Sequence, residues 1–93
     1  MNIKVYIAGK ISGDPDYAEK FQIVENQAKL LDYIPLSPAN LPEGMSKADY
    51  MRICFSMIDC ADAVVFLPDW ESSPGATLEH MYCEYTEKMI VFI

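Results

Sequence analysis

One stretch decides the fold: residues 63–84, which read AVVFLPDWESSPGATLEHMYCE. It begins with an apolar run, residues 63–67, whose β-branched and aromatic side chains predict a buried strand. A proline and a polar turn end that strand, and residues 73–75 (SPG) predict the start of a helix. Glu79 then lies about one turn inside that helix. Because ligands bind at the carboxyl ends of parallel strands, beside helix N-termini, this combination predicts a site.

The rest of the chain continues the alternation of strands and helices. In chain order the other predicted elements are a strand at residues 3–8, a helix from Pro15 (with Asp14 as its cap) to about Asp32, a strand at 34–37, a helix capped by Ser46 that ends near Cys60, and a strand at 89–93. Proline within residues 34–37 predicts an edge strand. The continuous apolar run at 89–93 predicts a strand covered on both faces.

This order, βαβαβαβ, predicts the fold class. Strands that alternate with helices imply a parallel sheet with right-handed crossovers, so we expect an α/β fold with four parallel strands and three helices. We take the strand order to be 2-1-3-4, in which the chain reverses direction between strands one and three and leaves a crevice at their carboxyl ends. The loops at residues 9–14 and 68–75 are therefore expected to converge there.

Length and charge limit the class of protein. The 93 residues suffice for one small domain, residues 1–93, so a site must come from one core or be shared between copies, and we expect a homo-oligomer, a dimer or higher. The net charge of −7 argues against a nucleic-acid partner. Because no apolar run approaches the ~18 to 20 residues of a membrane span and the N-terminus does not resemble a secretory signal, we expect a cytoplasmic protein with no membrane partner.

The cysteines indicate reduced thiols. Cys54, Cys60 and Cys83 are an odd number and lack CxxC spacing, and two of them fall on apolar helix faces. A metal site is therefore not expected.

Glu79 is the main candidate in the predicted crevice. The helix dipole and free NH groups predict that its carboxyl is ionised, and a positioned carboxylate can act as a nucleophile or stabilise a developing cation. The alternative is that an acid early in a helix only complements the dipole. His80 points about 100° away around the helix and cannot share the face of Glu79. Asp69, at the proper end of strand three, is the better second acid, although Glu71 competes with it.

The remaining candidates belong to the strand and loops around the crevice. The Tyr6 hydroxyl reaches either the crevice or a backbone partner. Trp70, the only tryptophan, is either a stacking surface for a base or sugar or a lid on the core edge. Lys10 is the only cation in either loop. The expected substrate-binding residues are Gly9, Lys10, Ser12, Gly13, Trp70, Ser73 and Gly75.

Three segments carry a resemblance to a known family. YIAGKISG at residues 6–13, CADAVVFLPDW at 60–70 and SSPGATLEH at 72–80 resemble small uncharacterised phage and bacterial domains related to the nucleoside 2-deoxyribosyltransferases. More distantly, the chain is similar to the 2′-deoxynucleoside 5′-phosphate N-hydrolases. The resemblance implies a three-layer flavodoxin-like or Rossmann-like sheet. It also implies chemistry at the N-glycosidic bond of a deoxynucleoside or its 5′-monophosphate, without metal or organic cofactor.

The resemblance also implies roles for single residues. The nucleophilic glutamate of the superfamily falls on Glu79, which would attack the anomeric carbon before water or a second base resolves the intermediate. The first-strand tyrosine falls on Tyr6, and Ser73 occupies a position where the hydrolases carry serine, which favours a phosphate-bearing substrate and hydrolysis. An acid of the relatives falls on Cys54 and an arginine of the hydrolases on Ser12. Binding of a nucleotide or metabolite without turnover is therefore one alternative, and a small oligomeric interaction protein is another.

Overall fold

Four parallel strands form one sheet in the computed structural model, which describes residues 2–93. The elements are β1 Lys4–Ala8, α1 Tyr17–Leu30, β2 Ile34–Leu36, α2 Lys47–Cys60, β3 Ala63–Phe66, α3 Pro74–Tyr85 and β4 Met89–Phe92, with short 3₁₀ turns at Pro38–Asn40 and Trp70–Ser72. The strand order is β2-β1-β3-β4 and every pairing is parallel. The predicted α/β class and topology are therefore confirmed.

The side chains of β1 divide between two cores. Tyr6 and Ala8 belong to the cluster that β1 and β3 form with α2 and α3, whereas Ile7 packs with Phe21 of α1 and with Leu67 on the other side of the sheet. Successive side chains of a strand point to opposite faces, which explains this division. It places the Tyr6 side chain on the same side of the sheet as α2 and α3.

Two serine caps fix where α2 and α3 begin. Ser46 Oγ accepts a hydrogen bond from the Asp49 amide at 3.1 Å, as its position predicts. Ser73 Oγ accepts one from the Ala76 amide at 3.2 Å, and Pro74 is the first residue of α3. The start of α3 is thereby held close to the carboxyl end of β3.

Helix α1 starts later than its sequence predicts. The predicted start was Pro15 with Asp14 as cap, but the helix begins at Tyr17. Asp14 Oδ1 instead accepts a hydrogen bond from the Asp16 amide at 2.9 Å, which makes residues 14–16 a separate turn before the helix.

Strand β4 corrects the prediction of a strand covered on both faces. It lies at the edge of the sheet, and on the face that points away from α2 and α3 Met89 is 65% exposed and Val91 40% exposed. Helix α1 packs chiefly over β1 and β2, away from β4. An apolar run thus predicted the strand but not its place in the sheet. Strand β2 lies at the opposite edge of the sheet, which confirms the edge position that its proline predicted.

The helices are too short to be membrane spans. Within residues 2–93, no helix combines the length and apolar character needed to cross a membrane.

Candidate active site

A cleft with a volume of ≈ 580 Å³ opens where the loops after β1 and β2 meet the start of α3. This volume lies within the range of about 300–1,000 Å³ that is usual for small-molecule sites. Gly9 and Ser12 line one part of it, and Ser73 and Gly75 line another. The predicted convergence of the two loops is therefore present in the structure.

Glu79 and Tyr6 form a buried pair at the bottom of this cleft. Glu79 lines the cleft although it is only 4% exposed, and Tyr6 is fully buried. The Tyr6 hydroxyl donates a hydrogen bond of 2.7 Å to Glu79 Oε2. The Tyr6 hydroxyl thus bonds to a side chain that lines the crevice and not to a backbone partner, although Tyr6 itself is not part of the cleft lining. The bond joins β1 to α3 and uses one of the two carboxyl oxygens of Glu79; the second oxygen is Oε1.

The pKa of Glu79 differs from the sequence prediction. Burial raises this pKa to about 7, although hydrogen bonds from Tyr6 and Cys54 act in the opposite direction. The expectation of a carboxyl kept ionised by the helix dipole is therefore corrected. Glu79 is the sixth residue of α3, beyond the first turn in which the dipole acts, so loss of hydration dominates.

Tyr6 and Cys54 remain protonated beside this carboxyl. Burial, and then the nearby Glu79 carboxylate, raise the pKa of Tyr6 well above its usual value. Cys54 of α2 also lines the cleft, and burial raises the pKa of its thiol to about 11. A neutral thiol is a weak hydrogen-bond donor and cannot serve as a base at neutral pH. We call Tyr6, Glu79 and Cys54 the cleft floor.

Asp69 lies outside the cleft lining, in a cluster of charged groups. Its carboxylate forms a salt bridge with Lys20 Nζ and accepts a hydrogen bond of 3.1 Å from the Lys10 amide. Burial tends to raise the pKa of Asp69, but the bonds to Lys20 and Lys10 outweigh it and lower the pKa. A role for Asp69 as second acid stays a prediction, which this placement does not support.

The predicted loop cation also lies outside the lining. The side chain of Lys10 is not part of the cleft wall, whereas Lys47, at the start of α2, is. Gly13 adopts φ of 80°, a conformation that favours glycine, and serves the turn between β1 and α1. Its predicted role in substrate binding therefore has no contact in the cleft to support it.

Trp70 packs away from the cleft, on the β4 side of α3. Its ring stacks on His80 with centroids 4.4 Å apart and also contacts Phe66 and Phe92. This is the arrangement of a lid on the core edge, one of the two alternatives for this residue. His80 points away from Glu79, as expected, and its Nδ1 lies 3.3 Å from Glu84 Oε1.

Two of the lining residues owe their identity to close packing and capping. A Cβ atom on Gly9 would lie 2.6 Å from Leu67 Cδ1, so a larger residue would push the two loops apart. Ser73 Oγ is occupied as an acceptor by the Ala76 amide, but its hydroxyl hydrogen remains able to donate to a ligand.

A second wall of the cleft was missed by the sequence analysis. It is formed by Tyr17 of α1 and by the segment from Pro38 to Met51. The Tyr17 hydroxyl donates a hydrogen bond of 3.1 Å to Glu43 Oε1 across this wall. A signal was present, because all strands are parallel and the loop after β2 must emerge at the same edge as the loops after β1 and β3.

The described residues offer no evident metal site. Within residues 2–93, no three His, Cys, Asp or Glu side chains are grouped so that they could hold a metal ion.

Fold and site together define a class of protein: a parallel α/β domain with a buried carboxyl–phenol pair beneath an open cleft. The chain belongs to the family described as a domain of unknown function (DUF4406), whose model matches residues 3–92. No curated protein matches it. Among solved structures it is similar to a 2-desoxiribosyltransferase from Leishmania mexicana, with a TM-score of 0.78 and 23% sequence identity over 98% of this chain and 63% of that chain. This likeness establishes a shared fold, and the chain spans less than two thirds of that protein.

Proposed function

We propose that this protein cleaves or exchanges the N-glycosidic bond of deoxynucleosides or deoxynucleoside 5′-monophosphates, with Glu79 as the nucleophile. The observation that carries the proposal is the hydrogen bond of 2.7 Å between Tyr6 and Glu79 at the floor of an open cleft. A buried carboxyl that still reaches a cleft has the position a nucleophile needs. The fold shared with a deoxyribosyltransferase directs the proposal to the N-glycosidic bond.

The reaction would proceed in two displacements. Oε1 of the Glu79 carboxylate attacks C1′ while the bond between C1′ and the base nitrogen breaks, and Tyr6 holds Oε2 in place. The base leaves with the electron pair of that bond and takes a proton from solvent. Water then attacks C1′, loses a proton and releases the carboxylate, or a second base attacks and completes an exchange.

The walls of the cleft suit a deoxynucleotide. Apolar side chains such as Ile11, Leu41 and Met51 line it and would contact the base and sugar. Polar groups gather at the start of α3, where the Ser73 hydroxyl and the Gly75 NH could bind a phosphate; Pro74 has no NH, and the Ala76 and Thr77 amides already donate to Ser73. Lys47 adds a positive charge to the lining. These features favour the 5′-monophosphate over the nucleoside.

The test is release of free base from deoxynucleoside monophosphates, followed by chromatography. Glu79→Gln keeps the size of the side chain and its acceptor for Tyr6 but removes the nucleophile, so we expect a loss of at least about a thousandfold in kcat. The matched control is Glu84→Gln, an exposed acid on the same helix, which should retain wild-type activity. Base release by Glu79→Gln at the wild-type rate would refute the proposal.

A second candidate is binding of a nucleotide without turnover. The observation that favours it is the side chain beside Glu79: it is the neutral thiol of Cys54 and not a second carboxylate. Under this alternative, deoxynucleoside monophosphates would raise the melting temperature of the wild-type protein without any release of base. A shift accompanied by base release would instead support the enzyme.

A further inference from the structure

Lys20 joins two loops through one ammonium group. Its Nζ donates to the Lys10 carbonyl oxygen at 2.8 Å, to Asp14 Oδ2 at 2.5 Å and to Asp69 Oδ2. An ammonium group has three donors, so all of them are used. Two of the acceptors belong to the loop between β1 and α1, and the third belongs to the loop between β3 and α3. We call Lys20, Lys10, Asp14 and Asp69 the Lys20 cluster.

Two further contacts hold the same loops together. The Lys10 amide donates to Asp69 Oδ1 at 3.1 Å, so this carboxylate binds both the ammonium group and the backbone of the other loop. Gly9 lies so close to Leu67 that a Cβ atom would be 2.6 Å from Leu67 Cδ1. The loops therefore meet at Gly9 through close packing and at Asp69 through charge.

The charges of the cluster depend on one another. The hydrogen bond from Lys20 is the main cause that lowers the pKa of Asp14, and it also lowers the pKa of Asp69 against the effect of burial. Burial tends to lower the pKa of Lys20, but its bonds to both acids outweigh this and raise it. Without the ammonium group, two ionised carboxylates would stand close together and repel each other across the gap between the loops.

The joined loops are also the ones that supply cleft residues. Gly9 and Ser12 lie on either side of Lys10, and Ser73 and Gly75 follow Asp69 at the start of α3; all four line the cleft. We propose that Lys20 is a positioning residue, which sets the distance between these two parts of the cleft without touching the substrate. Its kinetic consequence rests on the proposed function, whereas its effect on the loops does not.

The kinetic test compares Lys20→Met with Lys29→Met, an exposed lysine on the same helix. Removal of the ammonium group should raise KM for a deoxynucleoside monophosphate about tenfold, because both loops line the cleft in which the substrate is proposed to bind. The value of kcat should change less than about twofold, because β1, α2 and α3 build the cleft floor independently of the cluster. Lys20→Arg, which restores the charge, should recover most of the loss, and Lys29→Met should match the wild type.

A second measurement does not depend on activity. Hydrogen exchange of the ligand-free protein should become faster in Lys20→Met at residues 9–14 and 69–73, with the strands and the rest of α3 unchanged. In Lys20→Met combined with Asp69→Asn, the effects should be smaller than the sum of the single variants, because both remove the same link.

The two measurements separate the failure of this inference from that of the proposed function. If the wild type releases no base, the proposed reaction fails and the affinity for the nucleotide replaces KM in the comparison. Unchanged exchange in the two loops would overturn the inference, and so would faster exchange spread over the whole chain. Faster local exchange with unchanged KM or affinity would also overturn it, since the link would then have no effect on the cleft.

Discussion

The cleft floor and the Lys20 cluster lie in neighbouring parts of the molecule and shift the pKa of their carboxyl groups in opposite directions. At the floor, Glu79 is buried with two neutral neighbours, and its pKa rises to about 7. In the cluster, Asp69 retains partial exposure and a cationic partner, and its pKa is lowered. Loss of hydration decides the first case, and pairing with a cation decides the second.

The two regions are therefore suited to different functions. A carboxyl with a pKa near 7 exists in both forms at neutral pH, which suits a group proposed to form and release a covalent bond. A carboxylate that stays ionised beside Lys20 is suited to hold loops together. The difference also predicts opposite responses to pH and to mutation, which the following experiments measure.

The largest expected effect concerns stability between pH 4.5 and 7. The pKa of Glu79 rises from its ordinary value of 4.5 to about 7 on folding, so in this window the folded state binds more protons than the unfolded state and stability falls as pH rises. The contribution is about 3 kcal/mol over the window. Asp14 and Asp69 contribute in the opposite sense, with stability that is lost only as pH falls below their ordinary pKa of 3.8.

Urea unfolding at pH 5 and pH 7.5 measures this effect. Glu79→Gln should remove most of the difference in free energy of unfolding between the two pH values, because glutamine does not titrate. Asp69→Asn should leave the difference in place. An equal pH dependence in the wild type and Glu79→Gln would show that Glu79 is not the buried titrating group.

The next effect concerns the acid limb of the pH–rate profile. The proposed nucleophile is the ionised form, so activity should rise with pH through about 7 in the wild type. The bond from Tyr6 lowers the pKa of Glu79, and Tyr6→Phe should therefore move this limb to higher pH and reduce the rate at pH 7 about tenfold.

A tyrosine outside the cleft lining provides the control for Tyr6→Phe. The Tyr82 hydroxyl donates to Asp59 Oδ1 at 2.7 Å in an exposed position, so Tyr82→Phe removes a similar bond that does not involve Glu79. Its profile should overlay that of the wild type. A limb that stays at the same pH in Tyr6→Phe would contradict the assignment of the limb to Glu79.

Much of the fold could be predicted from sequence because its signals are local. The alternation of apolar strands and helices predicted the parallel sheet, and Ser73 and Pro74 predicted the start of α3. The exposure of β4 could not be predicted in this way, because the composition of a strand does not reveal which helices cover it.

The residues of the candidate site were easier to predict from sequence than their chemistry. The spacing and the family resemblance both indicated Glu79, but its pKa depends on burial among side chains from three separate elements. Lys20 could not be predicted because it lies one turn inside α1, outside both loops in the sequence, and reaches back to them only in the folded chain. Contacts of this kind depend on tertiary structure and leave no local pattern.

The smallest expected effect is that of Asp69→Asn, measured beside Glu79→Gln. If Asp69 only joins the loops, Asp69→Asn should leave kcat within about twofold of the wild type and raise KM a few fold, because asparagine keeps an acceptor for the Lys10 amide but loses the charge that pairs with Lys20. Glu79→Gln, measured in parallel, should lose kcat. Steady-state kinetics on a deoxynucleoside monophosphate separate the two parameters. A loss of kcat in Asp69→Asn as large as that in Glu79→Gln would make Asp69 a second catalytic acid. It would contradict the claim that the cleft floor carries the chemistry while the Lys20 cluster only joins the loops.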